Sequence, residues 1–213
     1  GGALLPLILL MFLLSRWSGG LVVRYGARLP LVVGPLIAAL GFLLFAAPSV
    51  GGSYWITFFP GVVVLGFGMA VSVAPLTTVV MESIDQDRAG TASGINNAVA
   101  RVAGLLAIAV FGVVMVAAFS THVNRSLASI AMPDDVRSEL RSNEIKLAAL
   151  KPPPGIEPAA ATAIESAIIA AFISSFRLMM AICAALAIAS AVVAWRMIPA
   201  GTKLKVAPTL STA

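Results

Sequence analysis

The segment GTASGINNAVARVAGLLAIAVFG, residues 90–112, constrains the fold more than any other. Its second half is apolar enough to cross a bilayer, while its first half carries Asn96, Asn97 and Arg101. Apolar runs of similar length recur along the chain in place of a dispersed core pattern, as in proteins that cross a membrane several times. Of 213 residues, 60% are hydrophobic and 11% charged, whereas soluble domains hold about half apolar and about a quarter charged residues. The mean hydropathy is +1.01. The net charge of +5 is then expected from basic residues gathered at cytoplasmic helix ends, with no nucleic-acid partner implied.

The chemistry of soluble enzymes finds little footing here. One cysteine, Cys183, lies inside an apolar run, so no internal disulfide and no redox motif can form. The single histidine, His122, lies in a polar connection without partners. No metal site or cofactor is implied, and an intramembrane metalloprotease would need H-E-x-x-H, which is missing. No enzyme activity is expected.

Five spanning helices are expected, over about Gly1–Val22, Leu29–Ala47, Tyr54–Met81, Arg88–Phe119 and Ala163–Ile198. Gly34-Pro35 and Pro75 mark bends within the second and third, because membrane helices tolerate proline as a kink. The chain opens GGALLPLILLMFLLSRW, with no initiator Met and no basic region ahead of the apolar run, which is unlike a signal peptide. Fewer apolar residues precede Arg16 than the roughly 20 that a span needs. The expectation is a fragment of something longer, forming one membrane domain over residues 1–213.

Alternation over five crossings puts Ser15–Leu29, Glu82–Arg88 and the tail after Trp195 on one side. These hold seven basic residues: Arg16, Arg24, Arg28, Arg88, Arg196, Lys203 and Lys205. The opposite side has none in Pro48–Ser53 and five in the long connection over 120–162, where acidic residues balance them. The bias places the C-terminus in the cytoplasm. Within the outer connection, Pro133-Asp134-Asp135 reads as a helix start. Val136, Leu140, Leu147 and Leu150 follow at near-helical spacing, up to Lys151-Pro152-Pro153-Pro154-Gly155. Two readings fit: an amphipathic helix over the outer mouth, or a solvated loop helix resting on headgroups.

Gly90, Gly94, Asn97, Arg101 and Gly104 recur at intervals of three and four, so they form one stripe of small and polar groups on a helix. Glycines admit a close neighbour and Asn can hydrogen-bond across the contact. Arg101 either snorkels to the inner headgroups or faces protein or a water-filled cavity. Asn97 and the glycines either hold helices together or line that cavity. Arg177 is placed near the outer interface, with Ala181, Ala185 and Ala189 as a packing face.

Residues Gly19-Gly20-Leu21-Val22-Val23-Arg24-Tyr25-Gly26-Ala27-Arg28 resemble the G-x-L-x-D-R-x-G-x-R cytoplasmic loop motif of the major facilitator superfamily. The run Asp87-Arg88-Ala89-Gly90-Thr91-Ala92-Ser93-Gly94-Ile95-Asn96-Asn97, continuing to Arg101 and Gly104, looks like the penultimate helix of its fourteen-helix drug/proton antiporter branch. The long connection before the last helix is similar to that branch too. The resemblance implies an all-α integral membrane fold, with five transmembrane helices forming most of the C-terminal bundle. It implies export of small amphipathic organic compounds coupled to protons by alternating access, in a multi-pass protein of the inner (plasma) membrane. The partners implied are the missing N-terminal helices, the substrate, protons and the lipid bilayer.

Carried over, Gly19, Arg24, Gly26 and Arg28 would form the loop that latches the bundle halves. Val23 stands where the motif has its acid, so this copy lacks an Asp–Arg pair. Phe67 and Met69, with Gly66 and Gly68, are candidates for lining a substrate cavity. None of the nine acidic residues falls mid-helix, although a proton-coupled carrier usually needs a carboxylate there; the titrating acid is expected in the missing part. The alternative is a non-transporting membrane scaffold or an inactive truncated product.

Overall fold

The computed structural model describes residues 2–48, 51–82, 89–128, 130, 132–153 and 155–199. Gly1, Asp87, Arg88, Pro154, Lys203 and Lys205, named above, lie outside the described residues. Among the described residues seven α-helices follow in order: α1 Leu5–Tyr25, α2 Arg28–Ala46, α3 Tyr54–Thr57, α4 Phe59–Glu82, α5 Ala89–Leu127, α6 Asp134–Ser142 and α7 Pro158–Met197. Short 3-10 segments cover Gly2–Leu4 and Glu144–Ala149, and no strand occurs among the described residues. Among the described residues four stretches are long and apolar enough to cross a membrane: Arg28–Ala46, Phe59–Thr77, Gly90–Leu127 and Pro158–Met197. A shorter apolar stretch, Leu5–Ser15, occupies the start of α1.

The residues fall into two compact units. The first comprises residues 1–101 and 181–213, and at its centre α4 packs against both α1 and α2. The glycine pattern of α4 makes this possible. A Cβ on Gly68 would stand 2.5 Å from the Ala38 backbone nitrogen in α2, and one on Gly66 would stand 3.2 Å from Leu7 Cα in α1. Gly41 of α2 likewise leaves 2.7 Å to the Leu65 nitrogen. Small residues let helix backbones approach, and in lipid that close packing replaces the hydrophobic drive between helices.

Pro35 lies inside α2 and Pro75 inside α4, and both helices run on through them. The third expected span is interrupted: Phe58 separates the single turn α3 from α4. Pro60 explains the restart, since it has no N–H to donate and sits in the first turn of α4, where none is needed. Tyr54, Trp55 and Phe59 stack around this break, with ring centroids 5.1 Å apart for Trp55–Phe59 and 5.5 Å for Tyr54–Trp55. Tyr54 Oη donates to the Ala3 carbonyl at 2.5 Å.

The second unit, residues 102–180, has its own core. Phe119, Val123 and Leu127 recur every four residues along α5 and meet Ile164, Ala167, Ile168 and Ala171 of α7. Leu140 of α6 and Leu150 complete the buried cluster, with Val136 and Leu147 packed against it. The helical spacing of these four residues is not carried by one helix. α6 ends at Ser142, because Asn143 (φ −108°, ψ 9°) leaves helical geometry and Leu147 takes a positive φ of 51°. Arg137 holds the end of α5, its guanidinium donating to the carbonyls of Leu127 at 3.2 Å and Ile130 at 3.3 Å. Basic side chains satisfy helix-terminal carbonyls in this way.

α5 and α7 have 39 and 40 residues, about 58 and 60 Å at 1.5 Å per residue. Both exceed a ~30 Å hydrocarbon core and both overrun the expected bounds toward the connection between them. α5 passes Phe119 by two turns because Val123 and Leu127 are buried in the same row.

Candidate functional site

The loop motif is mostly helix. Gly19 and Arg24 belong to α1, and Gly26 and Ala27 are all that separates α1 from α2. The expected connection over Ser15–Leu29 is thus corrected to two residues. Gly19 and Gly20 do not end the helix because neither takes a positive φ, whereas Gly26 does, at 78°. Its N–H donates to the Val22 carbonyl at 2.9 Å, and Val22 is fully buried. A residue without Cβ is suited to that left-handed position.

The two motif arginines each lie on an aromatic ring. Arg24, exposed, has its Cζ 5.4 Å from the Tyr25 centroid. Arg28, half-buried at the start of α2, has its Cζ 5.4 Å from the centroid of Trp195 near the end of α7. Such placements over the ring face are attractive, because the ring quadrupole is negative there. The Arg28 Nε is buried without a hydrogen-bond partner. The Arg28–Trp195 contact escaped sequence reasoning; its one signal was a basic–aromatic pair at two helix ends assigned to one side.

Gly90, Gly94, Asn97, Arg101 and Gly104 all lie on α5 and all are exposed. A Cβ built on Gly90, Gly94 or Gly104 would meet nothing within 4 Å. Ile95, Val99 and Val102, on other faces, are more than 60% exposed as well, while Ala92 is buried. The stripe is therefore presented as spaced, with no neighbour seated on it among the described residues.

Phe67 and Met69 are both on α4 but point apart, since residues two positions apart on a helix do not share a face. Phe67 packs on Trp17 of α1, ring centroids 6.3 Å apart, and Met69 is exposed. An open cleft of about 380 Å³ lies by the α2–α4 connection, between Leu44, Pro48, Ile56 and Pro60. Another of about 260 Å³ lies in the second unit between Glu139, Asn143, Lys146 and Lys151. Neither includes the loop-motif, stripe or cavity candidates named from sequence, although Leu140, Leu150 and Lys151 of the outer connection line the second. Also in that unit, Asn124 Nδ2 donates to Glu144 Oε1 at 2.7 Å and Asn124 Oδ1 accepts from Arg141 Nε at 3.3 Å. Among the described residues no group of three His, Cys, Asp or Glu could hold a metal ion.

Comparison with known proteins follows the same lines. The family model of the Major Facilitator Superfamily matches residues 1–108, just over half of the 213. The multidrug resistance protein Stp of Mycobacterium tuberculosis is 33% identical over 137 residues, 64% of this chain and 25% of that protein. The tetracenomycin C resistance and export protein of Streptomyces glaucescens is 35% identical over 120 residues, 54% of this chain and 21% of that protein. The matched region spans a quarter or less of these relatives' length.

Proposed function

The chain belongs to the major facilitator superfamily, a family of multi-pass membrane transporters, and from that membership we propose that it is the C-terminal part of a drug exporter. The observation that carries this reading is its similarity to two proteins whose names are those of a multidrug resistance protein and of a resistance and export protein. In this reading the cargo is a small amphipathic organic compound and the membrane is the plasma membrane. Transport proceeds by alternating access, with two bundles rocking around a central site.

The remaining helices come from the N-terminal part of the same protein, and one of them covers the stripe Gly90, Gly94, Asn97, Arg101 and Gly104. That placement supplies what an Asn and a guanidinium need at membrane depth: protein or water in place of acyl chains. Phe67 and Met69 are the candidates for cavity lining, and Gly19, Arg24, Gly26 and Arg28 for the cytoplasmic latch. Arg24 and Arg28, which flank the α1–α2 turn, and Arg196 support a cytoplasmic C-terminus. Residues 120–162 then lie outside, with α6 as their amphipathic helix.

Protons are the proposed coupling ion, and the titrating carboxylate belongs to the N-terminal part, since the acidic residues of this chain cluster at helix ends and in the connections. The test is accumulation of a lipophilic cationic dye in an efflux-deficient bacterial host. Expression of the intact protein should lower accumulation, and a protonophore should restore it. Unchanged accumulation with the protein verified in the membrane would refute export; export that survives the protonophore would refute proton coupling alone.

A further inference from the structure

One corner of the first unit gathers positive charge and aromatic rings, with no counter-ion among the described residues. Arg28 stands over the Trp195 ring, which joins the first residue of α2 to the last turn of α7. Arg196 is the next residue along and is exposed. Arg24 lies four positions before Arg28, exposed, with its guanidinium on Tyr25. Among the described residues no carboxylate pairs with Arg24, Arg28 or Arg196. The motif's own acid is replaced by Val23. On Arg28 the Nε is covered by protein and lacks an acceptor among the described residues, so this side chain is partly withdrawn from water.

The depth of the corner follows from the helices that end there. α2 and α7 are both long and apolar enough to span, and their spanning stretches begin at Arg28 and end at Met197. Trp and Tyr at such ends sit at the level of the lipid headgroups. The anion within reach of a guanidinium at that depth is a phosphate, which a planar fork holds through two parallel N–H···O bonds. Three cations with which no described carboxylate pairs repel a choline or ethanolammonium group and attract a headgroup of net negative charge.

We propose that this corner binds the phosphate of an anionic phospholipid, with Arg28 as the principal donor, Trp195 orienting its guanidinium, and Arg24 and Arg196 adding charge. The site rests on the chain's crossing of the bilayer and on no statement about cargo or coupling. Failure of export and failure of lipid binding are therefore separate results.

The test is native mass spectrometry of the intact protein released from bilayers of phosphatidylglycerol and phosphatidylcholine in equal amounts. Phosphatidylglycerol should be retained over phosphatidylcholine, and Arg28→Gln should lower that preference about fivefold. Arg196→Gln, an exposed change at a helix end, should lower it in the same direction, and it decides the matter if Arg28→Gln fails to fold. Excess inorganic phosphate should leave the lipid bound. Equal retention of the two lipids, a preference unchanged in the folded variants, or displacement by inorganic phosphate would each overturn the proposal.

Discussion

Gly68 of α4 and Ala38 of α2 meet through their backbones: a Cβ on Gly68 would lie 2.5 Å from the Ala38 nitrogen and 2.9 Å from its Cα. No rotamer change can relieve such a contact, because both partner atoms are main chain. The α2–α4 pair must separate or shift to admit a methyl group.

Gly68→Ala is therefore expected to destabilise the protein by about 1–3 kcal/mol, the usual cost of overpacking. Gly41→Ala should behave alike, since its Cβ would fall 2.7 Å from the Leu65 nitrogen. Gly20→Ala, with nothing within 4 Å, should be neutral or slightly stabilising through helix propensity. Thermal unfolding in detergent checks all three. A Gly68→Ala variant as stable as the parent would contradict the close approach.

Gly26→Ala tests the turn between α1 and α2. At φ 78° a Cβ crowds the following carbonyl, which costs roughly 1–2 kcal/mol. The variant should melt earlier than the parent, and Gly26→Asn, which tolerates the left-handed region better, should melt between the two.

Phe119→Ala addresses the second unit, where Phe119 is fully buried among Val123, Ile164 and Ile168. Large-to-small changes of this kind cost about 3–5 kcal/mol. Amide exchange across α6 should accelerate, because Leu140 loses part of the core it packs on. Exchange as slow as in the parent would mean that α6 is held by something else.

Asn124→Ala removes one side chain that joins α5 to both Glu144 and Arg141. A net loss near 1 kcal/mol is expected, read as exchange about fivefold faster over residues 134–149. Thr121→Ala is the control: Thr121 is exposed and its hydroxyl donates only to Ala117 of its own helix. It should leave that exchange unchanged.

Spin labels at Asn97 and Arg101 address the proposed shelter of the α5 stripe. In the intact protein both should be screened from lipid-soluble oxygen, since protein or water covers them. Strong oxygen contact at both positions would remove the stripe from the proposed pathway.

The spans were legible where apolar residues run on without interruption. α2 was expected over Leu29–Ala47 and is found over Arg28–Ala46. The sequence misled at Ser15–Tyr25, where Arg16, Ser18 and a Gly-Gly pair imitate a connection. Glycine ends a helix only where the chain turns left-handed, and that happens at Gly26 alone in this stretch. The spacing of Gly90, Gly94, Asn97, Arg101 and Gly104 was legible as a face, because the helical period is local information. What covers that face was not, because it depends on chain segments far away in sequence or outside these residues. Arg28 and Trp195 were hidden for the same reason: their pairing arises from helix ends at opposite ends of the chain.

The two-residue link between α1 and α2 restricts how this part of the molecule can travel. Three consecutive Cα steps of 3.8 Å, from Tyr25 to Arg28, reach about 11 Å at full stretch. The ends of the two helices are on a leash of about one helix diameter. Any displacement of the C-terminal end of α1 has to carry the near end of α2 along.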